Sequence, residues 1–241
     1  MIIIPMAGLS SRFFNAGFTK PKYMLDIAGI SVFARSVLSF NKYFHDEKFI
    51  FVIRDIFNTA EFVERELQSL GVKNYEIVKL DYETKGQAET VYLATKNEPF
   101  NGPITIFNID TFRKDYIKPD FIESCDGYLE VFSAPGDHWS FVLPKDHENV
   151  LKTTEKNRVS DLCSDGLYYF KNKADFEDAY LKAVENSDTV KGEFYIAPLY
   201  NKIIADGKAV KYHKIELSEI EFCGTPDEYN LLKMQHEKEF I

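Results

Sequence analysis

Four short apolar runs alternate with segments of helical period through the first 110 residues. The runs are Ile2–Pro5, Lys48–Ile53 (KFIFVI), Tyr75–Leu80 and Ile104–Ile109. Each is apolar and rich in β-branched or aromatic residues, and each is short enough for a central strand. Between them, Ser31 is placed to cap a helix running to about Tyr43. Phe62, Val63, Leu67 and Leu70 recur at helical spacing over Thr59–Leu70, and Gly71 follows as a natural stop. Gly86–Lys96 reads as a third helix. Strands alternating with helices of roughly 10 to 15 residues predict βαβ units and a parallel sheet.

After Asp110 the pattern changes. Gly127–Ser133, Ser140–Leu143, Val150–Thr154 and Gly166–Phe170 are strand-like runs between polar turns, with little helix among them. Helical period returns at Ala174–Glu185 and Phe194–Ala205. Ala209–Lys214 and Glu219–Phe222 read as strands, and Pro226 opens a terminal helix to about Phe240. The predicted fold class is therefore α/β: a Rossmann-like, mostly parallel mixed sheet flanked by helices, with a smaller mixed β region. A single domain over residues 1–241 is expected.

The chain has 241 residues, enough for a sizeable core. Its 38 acidic against 29 basic residues give a formal net charge of -9, which argues against a nucleic-acid or anionic-membrane partner. A site for a polyanion must then concentrate its cations locally. Cys125, Cys163 and Cys223 are widely spaced, with no CxxC pair, so neither a disulfide framework nor a zinc site is indicated. The N-terminus carries no basic segment ahead of a long apolar stretch, and a cytoplasmic location is expected.

In an open α/β sheet, ligands lie at the carboxyl ends of the strands. Three features fall at such ends. Gly8, Ser10, Ser11 and Arg12 follow the first strand, with Lys20-Pro21-Lys22 close behind. Small residues after a buried strand leave backbone N–H groups free to point at an anion, and Arg12 and Lys22 add counter-charge. Lys85–Glu89 follows the third strand, and Asp110 the fourth.

Together these residues resemble the sugar-phosphate nucleotidylyltransferases, also called sugar nucleotide pyrophosphorylases. MIIIPMAGLSSRF…TKPKYML is similar to that family's strand, Gly-rich loop ending in Arg, and Pro-Lys. KGQAETV, FNIDTF, TTEKN, DGLYYF, GEFYIAPLYNKII and CGTPDEY follow in the family's order, so the resemblance spans nearly the whole chain. It implies a GT-A-like nucleotidyltransferase fold, with residues 1–112 binding nucleotide and 113–241 the acceptor. The implied activity is of EC 2.7.7 type: the phosphate of an acceptor attacks the α-phosphorus of a nucleoside triphosphate and expels pyrophosphate. Such a reaction rests on alignment and charge neutralisation and requires no protein nucleophile.

The resemblance also implies residue roles. The backbone of Ala7, Gly8, Leu9, Ser10 and Ser11 would cradle the triphosphate, with Arg12 on its outer phosphates. Lys22 would stabilise charge near the α-phosphate. Asp110, beside Asn108 in the nucleotide site, would ligate Mg²⁺, a hard cation that prefers carboxylate and phosphate oxygens. Relatives commonly place a second Asp two positions before the late Gly-Thr. Here that position is Phe222, and the adjacent Glu221 is the doubtful substitute. Gln87, with the backbone of Gly86 and Ala88, would read the base edge. Lys156 would bind the acceptor phosphate and Glu155 a hydroxyl or amine, with Tyr168 and Glu193 in the same pocket. The family usually has Gly where Ser10 stands, and only Gly takes positive φ freely.

The partners implied are a nucleoside triphosphate and a phosphorylated small molecule. A pyrimidine nucleotide is expected, CTP slightly ahead of UTP or dTTP, with a sugar 1-phosphate acceptor and a product destined for capsule or other surface polysaccharide. Alternatives stay open. If Trp139, Tyr168 and Tyr169 form an aromatic box, choline phosphate becomes a candidate acceptor. A nucleotide-sugar-dependent glycosyltransferase would normally show D-x-D, where this chain has Asn108-Ile109-Asp110. A silent nucleotide-binding protein is the third alternative. A homo-oligomer is compatible with the sequence.

Overall fold

The computed structural model describes residues Met1 to Lys238. The chain forms two compact units. One comprises Met1–Pro5, Thr84–Phe107 and Ile117–Leu217, and the other Met6–Glu83, Asn108–Tyr116 and the chain from Ser218 onward. It is an α/β protein: Ile2–Pro5 pairs in parallel with Ile104–Phe107 and Phe49–Ile53 with Tyr75–Lys79, as the alternating pattern predicts, while the two-residue strands Asp26–Ile27 and Ile30–Ser31 form a small antiparallel ladder.

In the first unit, strand Ile2–Pro5 runs parallel to Ile104–Phe107, with Ile2 opposite Thr105 and Ile3 opposite Ile106. Ile2, Ile3, Ile4, Ile104 and Ile106 are fully or almost fully buried. Each such side chain contributes roughly 1.5–3 kcal/mol of burial, which makes this pair the centre of the unit. Ile104–Phe107 then meets strand Leu162–Phe170 antiparallel, with Ile106 opposite Tyr168. The long strand also pairs antiparallel with Gly127–Ser133 and bridges Ser140–Pro144, which in turn pairs with Val150–Glu155. Val210–Lys214 runs parallel to Gly127–Ser133. The long strand starts earlier than the predicted Gly166. Its pairing register shifts between Ser164 and Tyr168, and Gly166 sits there at φ +93°. That irregularity breaks the period-2 signal and hides the strand's first half. Helices Gln87–Thr95, Lys173–Glu185 and Tyr200–Ala205 flank the strands.

In the second unit, Phe49–Ile53 and Tyr75–Lys79 pair in parallel, with Phe49 opposite Tyr75 and Ile53 opposite Lys79. Helix Thr59–Leu70 connects them and ends on Gly71 at φ +76°. Gly71 N–H donates to Gln68 O at 3.2 Å and Val72 N–H to Leu67 O at 3.1 Å, the left-handed cap the sequence predicts. The helix expected from Ser31 is shorter, Val32–Leu38, and the chain continues in a 3-10 turn over Asn41–Tyr43. Ser31 caps it as predicted, its Oγ accepting Ala34 N–H at 3.0 Å. Thr111–Arg113 and Ile220–Phe222 form a short antiparallel ladder, followed by helix Pro226–Lys238. Phe240, the predicted end of that helix, lies outside the described residues. Phe13, Ile27, Val32, Phe112, Cys223, Tyr229 and Leu232 pack as one cluster that anchors the ladder, the helix and the opening loop.

Candidate active site

The second unit carries the loop expected to face phosphate. Met6 to Ser10 is loop, and Ser11–Asn15 is a single short helix. Among the described residues, no N–H from Ala7 to Arg12 has an acceptor. Consecutive unsatisfied N–H groups at a helix entry suit an anion. Ser10 adopts the left-handed conformation, φ 53° and ψ 30°. It keeps the backbone that a glycine would take most easily and adds an oxygen there. Ser10 Oγ accepts the N–H of Lys22 at 3.2 Å, tying the loop to the residue that follows Pro21.

Pro21 is extended, at φ −62° and ψ 150°, and Lys22 begins a one-turn 3-10 helix, Lys22–Met24. Lys22 Nζ reaches Asp110 Oδ2 at 2.5 Å, both side chains being about one-fifth exposed, at 21% and 22%. Burial alone would raise the Asp110 carboxyl, but the Lys22 ammonium, its hydrogen bond and the nearby Arg12 hold it below the usual carboxylate range. Asp110 is thus ionised and faces cations. Its backbone O accepts Cys223 N–H at 2.8 Å, which brings the start of the short ladder against Gly224. A Cβ added at Gly224 would lie 3.1 Å from Asp110 Oδ2, so the missing side chain leaves that carboxylate room. Asn108 is fixed through its carbonyl, which accepts from Ser36 Oγ at 3.1 Å.

Glu221, the doubtful metal ligand, is engaged elsewhere. It lies opposite Phe112 in the ladder, and its carboxylate meets His236 Nε2 at 3.3 Å and Lys114 Nζ at 3.8 Å. It makes no contact with Asp110. Among the described residues, no group of three or more His, Cys, Asp or Glu side chains could hold a metal ion on protein donors alone.

The first unit carries the segments expected to meet the base and the acceptor. Gly86 stands at φ +113° before helix Gln87–Thr95. A Cβ at Gly86 would fall 2.6 Å from Phe194 O, so the backbones touch closely enough to exclude any side chain. Phe194 N–H donates to Lys85 O at 2.7 Å, and Ala88 N–H donates to Phe194 O at 3.0 Å. The Ala88 N–H, expected to face a base, is therefore committed within the protein. Gln87 opens the helix. Phe194, expected to start a helix, is instead this extended clamp, and helix resumes only at the 3-10 turn Ala197–Leu199.

Glu155 ends strand Val150–Glu155, and Lys156 follows it. Neighbours on a strand point to opposite faces, yet Lys156 Nζ lies 3.6 Å from Glu155 Oε1. The reason is local: Lys156 is left-handed, at φ +53°, and its N–H donates to Trp139 O at 2.9 Å. Such strain concentrates at functional sites. Lys156 Nζ hydrogen-bonds Tyr195 Oη and lies 4.3 Å from the centre of the Tyr195 ring. Burial pulls its pKa down, but the bond to Tyr195 and the charges of Glu155 and Glu193 push it up on balance. Glu155 is buried and accepts from Ser140 Oγ; burial raises its pKa against the pull of Ser140 and Lys156. Tyr168 is buried beside Glu155 and the hydroxyls of Ser164 and Ser140. Glu155, Lys156, Tyr168 and Glu193 thus lie near one another, each of the other three interacting electrostatically with Glu155. Of the aromatics named for a possible box, Tyr169 stacks on Tyr128 at 5.2 Å, and Trp139 packs edge-on against Phe132.

Sequence reasoning missed Tyr195 and Ser140. Tyr195 lies two residues beyond Glu193 in the GEFY segment, and a turn with Lys191 at φ +52° and Gly192 at φ +83° delivers both. Ser140 begins a strand whose register sets it opposite Glu155.

Neither a protein-family model nor a curated protein matches the chain. Solved structures do. A nucleoside-diphosphate-sugar pyrophosphorylase from Vibrio cholerae RC9 is 48% identical with a TM-score of 0.94, over 98% of this chain and 100% of that one. A UDP-glucose pyrophosphorylase complexed with UDP-glucose matches at 16% identity and TM-score 0.78, over 99% and 98%. An inositol-1-phosphate CTP transferase from T. maritima matches at 15% and 0.74, over 98% of this chain and 95% of that one. The two distant likenesses support the fold alone. The first, nearly half identical along its whole length, goes further: the chain belongs to the nucleoside-diphosphate-sugar pyrophosphorylases, nucleotidylyltransferases of sugar phosphates.

Proposed function

We propose that this chain transfers a nucleoside monophosphate from a nucleoside triphosphate to a sugar 1-phosphate and releases pyrophosphate. The observation that carries the reading is the contact of Lys22 with Asp110 at 2.5 Å, beside a loop whose N–H groups from Ala7 to Arg12 have no acceptor. That set suits a triphosphate. The free amides and Arg12 bind its outer phosphates, and Lys22 neutralises charge that builds at the α-phosphate as the new bond forms.

Asp110 is the natural magnesium ligand. Mg²⁺ is usually held by one or two carboxylates with substrate phosphates and water completing its shell. A single ionised carboxylate with the open space of Gly224 beside it fits that donor set. When bound, the ion would neutralise phosphate charge and free Lys22 from its partner.

In the other unit, Lys156 binds the acceptor phosphate, which is largely ionised at neutral pH. Glu155, oriented by Ser140, accepts from an acceptor hydroxyl, as Glu193 does beside it. Lys156 already sets a cation at the hydroxyl end of Tyr195, 4.3 Å from the ring centre, which weighs against a choline-type acceptor. Gln87 reads the base with an amide that both donates and accepts, so a pyrimidine is the first class to try, CTP ahead of UTP and dTTP. The product would be an activated sugar of the kind consumed in surface polysaccharide assembly.

The test is pyrophosphate release from each common nucleoside triphosphate with Mg²⁺ and a panel of sugar 1-phosphates, inositol 1-phosphate and choline phosphate. Release with a sugar phosphate supports the reading. Release with choline phosphate alone, or with no acceptor, overturns it.

A further inference from the structure

Lys156 does not stand alone at the acceptor phosphate. An ammonium has three N–H donors. One is directed to Tyr195 Oη, and a second faces Glu155 Oε1 at 3.6 Å. A phenol that accepts a hydrogen bond still has its own O–H to donate. Among the described residues, that proton has no acceptor. The third ammonium hydrogen and the phenolic hydrogen therefore form two adjacent donors.

The surroundings hold these donors in place. Lys156 is fixed by its left-handed backbone and its N–H bond to Trp139 O. Tyr195 follows Phe194, whose backbone is clamped on both sides by Lys85 and Ala88. Glu155 is turned toward Ser140, so one of its oxygens is already occupied when an anion approaches Lys156.

We infer that Tyr195 is a second ligand of the acceptor phosphate: its hydroxyl accepts from Lys156 Nζ and donates to a phosphate oxygen, so that ammonium and phenol grip the phosphate together. This rests on the reading of Lys156 as the acceptor-phosphate residue. The phosphate group, more than the sugar, is then what Tyr195 recognises. Removing one hydrogen bond to a charged group weakens binding about tenfold or more.

The probe is inorganic phosphate, titrated calorimetrically into the wild type, Tyr195→Phe and Lys156→Met, each checked for folding by its thermal melt. Phosphate also has the Ala7–Arg12 loop to bind, so the relevant component is the one that Lys156→Met removes. Tyr195→Phe keeps the ring and deletes only the hydroxyl. The expected result is about tenfold weaker binding of that component, with nucleoside triphosphate binding unchanged. Wild-type strength in Tyr195→Phe overturns the inference. So does equal weakening of nucleoside triphosphate binding, or phosphate binding that Lys156→Met leaves untouched. Pyrophosphate release by the wild type is scored separately, so a failed activity and a failed phosphate ligand are told apart.

Discussion

The hydroxyl of Ser10 accepts the backbone N–H of Lys22 at 3.2 Å, joining the loop after the first strand directly to the lysine that contacts Asp110. A glycine at position 10 would adopt the same left-handed backbone without strain but could not make this bond. The two effects oppose each other, each of them about 1 kcal/mol. Ser10→Gly should leave the melting temperature nearly unchanged while loosening Lys22, and turnover should fall several-fold. Ser10→Ala keeps the strain and loses the bond, so it should be the less stable variant by roughly 1–2 kcal/mol. Denaturant unfolding of both variants, alongside initial rates, checks the order.

Gly86 lies against the backbone of Phe194. At φ +113°, with the nearest backbone atom 2.6 Å from any added Cβ, Gly86→Ala must push Phe194 away. The bonds from Phe194 N–H to Lys85 O and from Ala88 N–H to Phe194 O then stretch together. A loss of roughly 2–4 kcal/mol in stability is expected. Because Glu193 and Tyr195 flank Phe194, the variant should weaken nucleotide and acceptor binding jointly. A variant that lost only one of the two would show that the clamp does not link these segments.

Gly224→Ala is a milder test on the other unit. Its Cβ would come 3.1 Å from Asp110 Oδ2, tight enough that the carboxylate must shift by a few tenths of an ångström. Stability should change by less than about 1 kcal/mol. The Mg²⁺ concentration needed for half-maximal activity should rise. An unchanged metal requirement would mean that Asp110 does not act from this position.

Acidification should reach the acceptor residues before Asp110. Burial raises the Glu155 pKa, so its folded value exceeds the unfolded one. Its stabilising contribution is full at low pH and is lost as pH rises through the raised value. Lys22 and Arg12 outweigh burial at Asp110 and depress its pKa, so its contribution is full near neutrality and is lost only as pH falls through that lowered value. As pH falls from 7, KM for the acceptor should increase first, while nucleotide KM holds. The acceptor phosphate also protonates, with a second pKa of about 6, and Glu155→Gln separates the two, since only the substrate's own titration remains in it. Nucleotide KM rising at a higher pH than acceptor KM would reverse the assignment.

Much of this architecture was legible in the chain because it is encoded locally. The helix over Thr59–Leu70 and its Gly71 cap follow from residues within one or two turns of each other, and the Ile2–Pro5 strand from an uninterrupted apolar run. What escaped depends on contacts between distant segments. Phe194–Ile196 carries helical spacing, yet Phe194 is held extended by Lys85 and Ala88, about a hundred residues earlier. Glu155 and Lys156 would diverge on a regular strand, and only the left-handed turn at Lys156 returns both to one side. Tyr195 escaped because a tyrosine after GEF carries no signal until its hydroxyl is found beside Lys156. Ser10 was legible in part: the backbone conformation was anticipated from the glycine it replaces, but not the bond to Lys22.

The most direct measurement is pyrophosphate release by Lys22→Ala and Asp110→Asn with the best nucleotide and sugar phosphate pair found for the wild type. Lys22→Ala should lose at least a hundredfold in kcat, as expected when a group that stabilises transition-state charge is removed, with little change in melting temperature. Asp110→Asn should lose as much, and raising Mg²⁺ should restore part of its rate. Turnover undiminished in both variants would contradict the role of the Lys22 and Asp110 pair in catalysis.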